Sequence, residues 1–312
     1  MKTVKYEIRL KGLATPAGTI SVKSLLDLMG SLTDCAERGL RLAVEGSSVK
    51  TGRTPAWLER AVDFTISGLK KGSTVFSMDV PQLGEVISDE LRQQDFWVTP
   101  PAPEDTALTL FAKSLHDTTK ENLESDYYDA GVLNSLLSFK RLMKTDVSSI
   151  EISAKSRPFD RVTLTSSALE KVERLKVKTP EPQAVIVSGQ LDAIQHSKRR
   201  FLLLLPDQTI QGRIDDKHLT AENLREYWGK EVTIKGVVHF KPSRKIQLLE
   251  AHIIKHKEHG EEIFEEMPQA CTEAELFCDV LQRPGKKDWL QNVWSKWPGD
   301  ESIEEILQEL KN

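Results

Sequence analysis

The side chains of this sequence that are best placed to do chemistry are basic ones in two short turns. They are Lys198, Arg199 and Arg200 in the first turn and Lys241, Arg244 and Lys245 in the second. Lysine and arginine neutralise phosphate groups, so two basic turns favour a polyanionic partner such as nucleic acid. The surrounding segment, 183–257, holds 13 Lys and Arg against 8 Asp and Glu. The alternative is a pair of solvated loops on a structural barrel, because few aromatic side chains are available there to stack on bases.

Residue patterns for covalent chemistry are missing from the sequence. It contains no Gly-x4-Gly-Lys-Ser/Thr loop, no Gly-x-Gly-x-x-Gly after a predicted strand, no Gly-x-Ser-x-Gly and no His-Glu-x-x-His. An enzyme hypothesis is left with one polar cleft, formed by residues 45–48, Arg53 and the turn at 70–73. Ordinary turn chemistry accounts for the same residues. We therefore expect no catalytic residues.

Histidines and cysteines after the basic segment are the candidates for a metal site. They are His252, His256, His259, Cys271 and Cys278. Zinc ligands usually come as short pairs, such as Cys-x2-4-Cys or His-x3-5-His. Cys271 and Cys278 lie seven residues apart, which on a helix is about 10 Å along the axis and too far for one ion. We expect buried structural cysteines, no metal and no cofactor.

The basic turns are positioned by a run of short segments, most of which alternate as is typical of strands, while 201–205 is continuously apolar as in a buried strand. Strands are predicted at 184–194, 201–205, 209–214, 231–240 and 245–254, with a short helix at 221–228 before the fourth strand. This order, with Gly189 and Gly236 where a barrel must bend, resembles an OB-fold barrel. The resemblance implies an oligonucleotide-binding face bordered by the first and last hairpin loops, which are the two basic turns. Another small barrel or a meander is the alternative.

Strands and helices interleave in the first 178 residues without a Gly-rich phosphate turn, which predicts an α+β domain. Strands are predicted at 4–10, 40–44, 74–80, 149–153 and 161–165. Helices are predicted at 22–39, 55–69, 106–115, 132–143 and 166–175. Pro180 and Pro182 mark a linker. The predicted organisation is an α+β domain at 1–178, a small OB-like β-barrel at 183–257 and an acidic helical C-terminal tail at 258–312.

The composition is that of a soluble, cytoplasmic protein. The hydrophobic fraction of 39% and the charged fraction of 29% are ordinary for a globular chain. No apolar run reaches the length of a membrane span and no leader precedes the first strand, so we expect neither membrane insertion nor export. Three cysteines fit a reducing compartment. Residues 258–312 carry 14 acidic and 5 basic side chains, and form an acidic tail on a more basic body.

The acidic tail contains two amphipathic segments. Trp289, Leu290, Val293, Trp294 and Trp297 fall on one helical arc. A Ser-x-x-Glu capping box at 302–305 begins a last helix with apolar residues along one side. Such stripes dock either on the protein's own body or in a groove of a partner protein. The residues expected to bind a partner are Trp289, Trp294, Trp297, Ile303, Ile306 and Leu307.

Residues 297–307, from the end of the first amphipathic segment into the second, resemble the tails of bacterial antitoxins that pair with PIN-domain ribonuclease toxins. The likeness rests on Trp-Pro-Gly-Asp-Glu-Ser at 297–302 followed by Glu-Glu-Ile-Leu at 304–307, a small part of the 312 residues. It implies a tail that wraps the toxin and blocks its acidic metal site. Antitoxins are usually much shorter, and many present a basic residue to the toxin's carboxylates, whereas this tail offers Lys296 and Lys311.

Three functional hypotheses follow from the sequence. The leading one is a non-enzymatic, cytoplasmic bacterial binding protein, antitoxin-like, that engages a partner protein such as a PIN-type toxin through its C-terminal helices. The second is a nucleic-acid-binding protein that uses the basic turns of an OB-like barrel. The third is an enzyme with a polar cleft in the N-terminal domain.

Overall fold

The protein combines helices and strands with a closed barrel in the middle of the chain, as the sequence predicts. A computed structural model describes residues 2–13, 16, 18–49, 52–70, 74–88, 91, 100–145, 147–154, 156–195, 199–214, 225–267, 270–272 and 275. Residues Met1–Ala270 form one compact unit and Cys271–Asn312 form a second. Thr272 and Glu275 exchange the two hydrogen bonds of a capping box. The predicted tail helices themselves lie outside the described residues.

Five antiparallel strands form the sheet of the N-terminal α+β part, residues 3–178. They are β1 (Thr3–Lys11), β2 (Thr65–Lys70), β3 (Val75–Pro81), β4 (Ser149–Ala154) and β5 (Arg157–Thr165), in the spatial order β2-β3-β1-β4-β5. Along β1, Tyr6 and Ile8 are buried while Lys5 and Arg9 are exposed. This alternation places one face of the sheet on the core and the other in solvent.

Helices cover the buried face of the sheet. They are α1 (Val22–Glu45), α2 (Ala56–Ala61), α3 (Leu83–Val86), α4 (Ala107–Thr119), α5 (Ala130–Leu137), α6 (Lys140–Thr145) and α7 (Ser166–Lys178). The Tyr6 hydroxyl in the core lies 2.8 Å from Oγ1 of Thr106, the N-cap of α4. Cys35 of α1 is buried and forms no disulfide, and burial raises the pKa of its thiol.

Helix α1 is longer than the sequence predicts. The prediction ended it at Gly39 and made residues 40–44 a strand, whereas the helix runs on to Glu45. Gly39 is tolerated because it faces α4, where a Cβ atom would lie 3.7 Å from the Cβ of Leu110, and because buried leucines continue the helical period beyond it. The helix ends at Gly46, whose φ of 76° forms a left-handed C-cap.

The second predicted helix is also wrong in its extent. Helix α2 ends at Ala61, and the residues expected to continue it to Leu69 form β2, an edge strand of the sheet. Apolar residues in this stretch are spaced as on a helix, but the main chain of 65–70 pairs with β3. Pairing with the sheet therefore overrides the local period.

Five strands close the barrel, each ending within two residues of its prediction. They are β6 (Gln183–Gln195), β7 (Arg200–Leu204), β8 (Thr209–Ile214), β9 (Glu231–Phe240) and β10 (Ile246–His256). The neighbours β6–β7, β7–β8, β6–β9 and β9–β10 are antiparallel, and β8 pairs with β10 in parallel to close the barrel. A Cβ atom on Gly236 would lie 2.1 Å from a carbonyl oxygen of β10, so glycine permits the close approach of the two strands. Of the predicted helix at 221–228, Arg225–Tyr227 form a 3-10 turn, and residues 221–224 lie outside the described residues.

The α+β part and the barrel have separate hydrophobic cores. The first core lies between the sheet and its helices, and the second fills the barrel with side chains such as Val187, Phe201 and Ile234. After β10 the chain folds back, so that Glu261 accepts a hydrogen bond of 2.6 Å from Thr233 of β9. Of the helices that the structure describes, none is long and apolar enough to cross a membrane.

Candidate nucleic-acid interface

Arg200, from the first basic turn, joins the barrel to the end of α1. It is the first residue of β7 and only 4% exposed, and its Nη2 donates a hydrogen bond of 3.0 Å to the Val44 carbonyl. A guanidinium at this position satisfies a carbonyl that the helix leaves unpaired and lies at the negative end of the helix dipole. Gly46 leaves room for it, since a Cβ there would lie 3.0 Å from Arg200 Nη2.

The second basic turn contacts an acidic loop of the α+β part. Lys241 Nζ lies 2.6 Å from Asp126 Oδ1 and donates a hydrogen bond of 3.1 Å to the carbonyl of Glu124. Lys245 Nζ lies 3.2 Å from Glu124 Oε2. The Lys241 side chain is 16% exposed and that of Lys245 72%, so Lys241 makes the more enclosed of the two ion pairs. We call residues 122–128 the acidic loop and 241–245 the basic turn.

The electrostatics of the acidic loop follow from these contacts. The Ser243 hydroxyl, together with the Lys245 ammonium, lowers the pKa of the Glu124 carboxyl. The basic turn is itself tightly folded, because Lys241 and Lys245 share a main-chain hydrogen bond of 2.8 Å and Arg244 adopts a positive φ of 71°. These features define the backbone of the turn, from which the side chains of Lys241 and Lys245 reach the acidic loop.

A cavity of about 470 Å³ lies between the outer face of the barrel and the α+β part. Its walls include Arg200, Gln211, Lys241 and Gln247 from the barrel, and Ala43 and Tyr127 from the other side. The two basic turns, which are 41 residues apart in sequence, thus reach one site. Cavities of this size are typical of ligand sites at domain interfaces.

A second ionic cluster crosses β8, β9 and β10 on the outer face of the barrel. Arg213 is 7% exposed and its Nη2 lies 3.1 Å from Glu250 Oε1, and His239 Nε2 lies 3.4 Å from Glu250 Oε2. The His239 imidazole and the Arg213 guanidinium lower the pKa of Glu250 to about 2, against burial, which raises it. Arg213 is the cross-strand neighbour of Arg200, so the cluster adjoins the contact with α1.

Of the remaining predicted site residues, the structure describes two and leaves the others outside the described residues. Arg199 and Arg244 are exposed, while Lys198 lies outside the described residues. The predicted partner-binding residues also lie outside the described residues: Trp289, Trp294, Trp297, Ile303, Ile306 and Leu307. Among the side chains that the structure describes, no group of three or more His, Cys, Asp and Glu could hold a metal ion.

Two of the polar residues behind the enzyme hypothesis, Ser47 and Ser48, have structural partners. Ser48 donates from its main-chain nitrogen and its hydroxyl to the two carboxylate oxygens of Asp129, at 2.8 and 2.5 Å. Asp129 Oδ1 also accepts from the main-chain nitrogen of Val132, which caps α5. These contacts fix the loop after α1 against the start of α5, and residues 71–73 of the proposed cleft lie outside the described residues.

Sequence reasoning missed the partners of the basic turns. No prediction was made for Glu124 and Asp126, and Val44 was assigned to a strand. Nothing local in the sequence connects Asp126 to Lys241, 115 residues later. Comparison of the chain with protein-family models, curated proteins and solved structures found no match.

Proposed function

We propose that the protein is a non-enzymatic binding protein whose barrel binds single-stranded nucleic acid. The observation that carries the proposal is the convergence of both basic turns on one cavity, through Arg200 and Lys241. Lysine and arginine side chains that meet at one site make a stronger electrostatic contact with a phosphate backbone than the same charges apart.

The strand order supports an OB-type barrel. Its first strand pairs with the second and fourth, and its third and fifth strands pair in parallel to close the barrel. A five-stranded Greek-key barrel is the arrangement of the OB-fold, whose second and third strands and first and last hairpin loops form the ligand face. In this chain those elements are β7, β8 and the two basic turns.

We also propose a cytoplasmic location for the protein. Its three cysteines cannot all be paired in disulfides within the chain, which fits a reducing compartment.

The proposal is tested by charge reversal at Arg199 and Arg244, the two exposed arginines of the basic turns. Arg200 is unsuitable because its replacement would also break the contact with Val44. With a fluorescent (dT)20 oligonucleotide and the full chain, we expect Arg199→Glu/Arg244→Glu to weaken binding about tenfold or more at low salt.

A matched control carries the same change of net charge elsewhere. Lys5→Glu/Lys23→Glu alters two exposed lysines of the α+β part and should leave the affinity close to that of the unmodified protein. Equal weakening by both double variants would mean that binding is a general charge effect. Absence of binding by the unmodified protein would remove the proposed function.

A second candidate function is binding of a partner protein through the C-terminal segment. Residues 271–312 follow the first compact unit and form a unit of their own. Their sequence carries three tryptophans, the capping box at 302–305 and the likeness to antitoxin tails, and these features favour a partner-binding segment. On this view the partner is a toxin of the PIN type encoded beside this chain.

Co-purification with the product of the neighbouring gene tests the second candidate. The full chain should retain that protein, and a chain that ends at Arg283 should not. Trp289→Ala/Trp294→Ala/Trp297→Ala in the full chain should lose it as well, since buried tryptophans dominate such interfaces. Equal retention by all three chains would exclude the tail as the binding element.

A further inference from the structure

The face of the barrel that we assign to nucleic acid is already in contact with acceptor oxygens of the same chain, two of them on carboxylates. Asp126 pairs with Lys241, Glu124 pairs with Lys245, and the Val44 carbonyl accepts a hydrogen bond from Arg200. Each of these oxygens occupies the place that a phosphate oxygen would take at a basic side chain. The acidic loop and the end of α1 therefore compete with any polyanion for the same cations.

The contact between the barrel and the α+β part is of a kind that can open. The two parts have separate hydrophobic cores, and Arg200, Lys241 and Lys245 contact the α+β part through hydrogen bonds and ion pairs. Polar contacts between parts with their own cores permit relative motion, unlike large apolar interfaces. The Asp126 side chain is 83% exposed and that of Glu124 48%, so water can replace the lysines at little cost.

We propose that the acidic loop occupies the polyanion-binding face of the barrel in cis, and that a single strand of nucleic acid binds by displacing it. This inference rests on the nucleic-acid function proposed above. The loop acts as a competing ligand held at high local concentration by the chain itself. The apparent affinity for nucleic acid is then the intrinsic affinity multiplied by the fraction of molecules in which the loop has left.

The test removes the two charges of the loop and keeps the shape of its side chains. In the full chain, Glu124→Gln/Asp126→Asn should bind (dT)20 about three- to tenfold more tightly than the unmodified protein, the range expected from the loss of two exposed ion pairs. The matched control is Glu151→Gln/Glu173→Gln, which has the same net charge and also removes two carboxylates paired with lysines, Lys11 and Lys140. The control should bind like the unmodified protein.

Amide hydrogen exchange distinguishes displacement of the acidic loop by the strand from simple electrostatic repulsion between the loop carboxylates and the strand. If the strand displaces the loop, adding (dT)20 to the unmodified protein should increase amide exchange in the peptide that covers residues 122–128. A carboxylate that merely repels the strand predicts unchanged or slower exchange there. Unchanged or slower exchange would therefore overturn the proposal even if the affinity rises.

The two proposals fail in different ways. Equal affinity of the unmodified protein and both variants would show that the loop does not obstruct the face, and would leave the nucleic-acid function in place. No binding by any of the three proteins at low salt would remove the nucleic-acid function and the loop mechanism together. Binding by Glu124→Gln/Asp126→Asn alone would support both.

Discussion

The charge of Glu250 makes the stability of the barrel depend on pH. It lies between Arg213 and His239 on neighbouring strands, and its pKa is lowered to about 2. Because the folded-state pKa lies below the ordinary value of 4.5, the carboxylate stabilises the fold above about pH 4.5. That stabilisation is lost as the pH falls toward 2.

We expect Glu250→Gln to lower the free energy of unfolding by about 2–3 kcal/mol at neutral pH. The difference from the unmodified protein should shrink between pH 4.5 and 2, where the carboxylate takes up its proton. Urea denaturation at a series of pH values measures it. Glu266→Gln, at an exposed position, is the control and should change little. A difference that stays constant across this range would contradict the role given to the Glu250 charge.

Gly30 in α1 and Gly46 at its C-cap give a matched pair of predictions about this helix. Gly46 has a φ of 76° and little space beside Arg200, whereas a Cβ atom on Gly30, in the middle of the helix, would meet no neighbouring atom of the described residues within 4 Å. Gly46→Ala should lower the free energy of unfolding by about 1–2 kcal/mol, through the strained backbone and the displaced guanidinium. Gly30→Ala should raise it by up to about 1 kcal/mol, since alanine favours the helix.

Urea denaturation of both variants decides between these signs. Stabilisation by Gly46→Ala would contradict the left-handed end of α1, and destabilisation by Gly30→Ala would contradict the open space beside that helical position. The two substitutions are chemically identical, so the comparison isolates the position in the helix.

Elements whose hydrophobic pattern is strictly local were predictable from the sequence. In the sequence, β6, β8 and β9 alternate and β7 is a short, continuously apolar run; all five barrel strands were placed within two residues of their observed ends. The errors fall where tertiary contacts decide. Gly39 does not stop α1 because it faces α4, and the residues after Ala61 leave a helical period to pair with β3.

The candidate site was only half predictable. The basic residues could be found because charge in turns is visible in the sequence, and Lys241 and Arg200 do line one cavity. Their acidic partners could not, because the pair of Lys245 with Glu124 joins residues 121 positions apart. Contacts between parts with separate cores leave no periodic signal in either segment.

In the molecule as a whole, the barrel is attached by polar contacts to an α+β part that contacts the face proposed for nucleic acid. Separate cores allow each part to stay folded while the contact opens. The same chain also carries, beyond Ala270, a tryptophan-rich sequence for which a protein partner is proposed. Binding of nucleic acid and of a protein partner would then use different segments, and loss of one should leave the other intact.

The most direct test of the central proposal is the salt dependence of binding between the full chain and (dT)20. If the basic turns neutralise three or four phosphates, the logarithm of the association constant should fall against the logarithm of salt concentration with a slope of about −2 to −3. Arg199→Glu/Arg244→Glu should make that slope shallower. Binding that is absent at low salt, or that does not change with salt, would contradict the account.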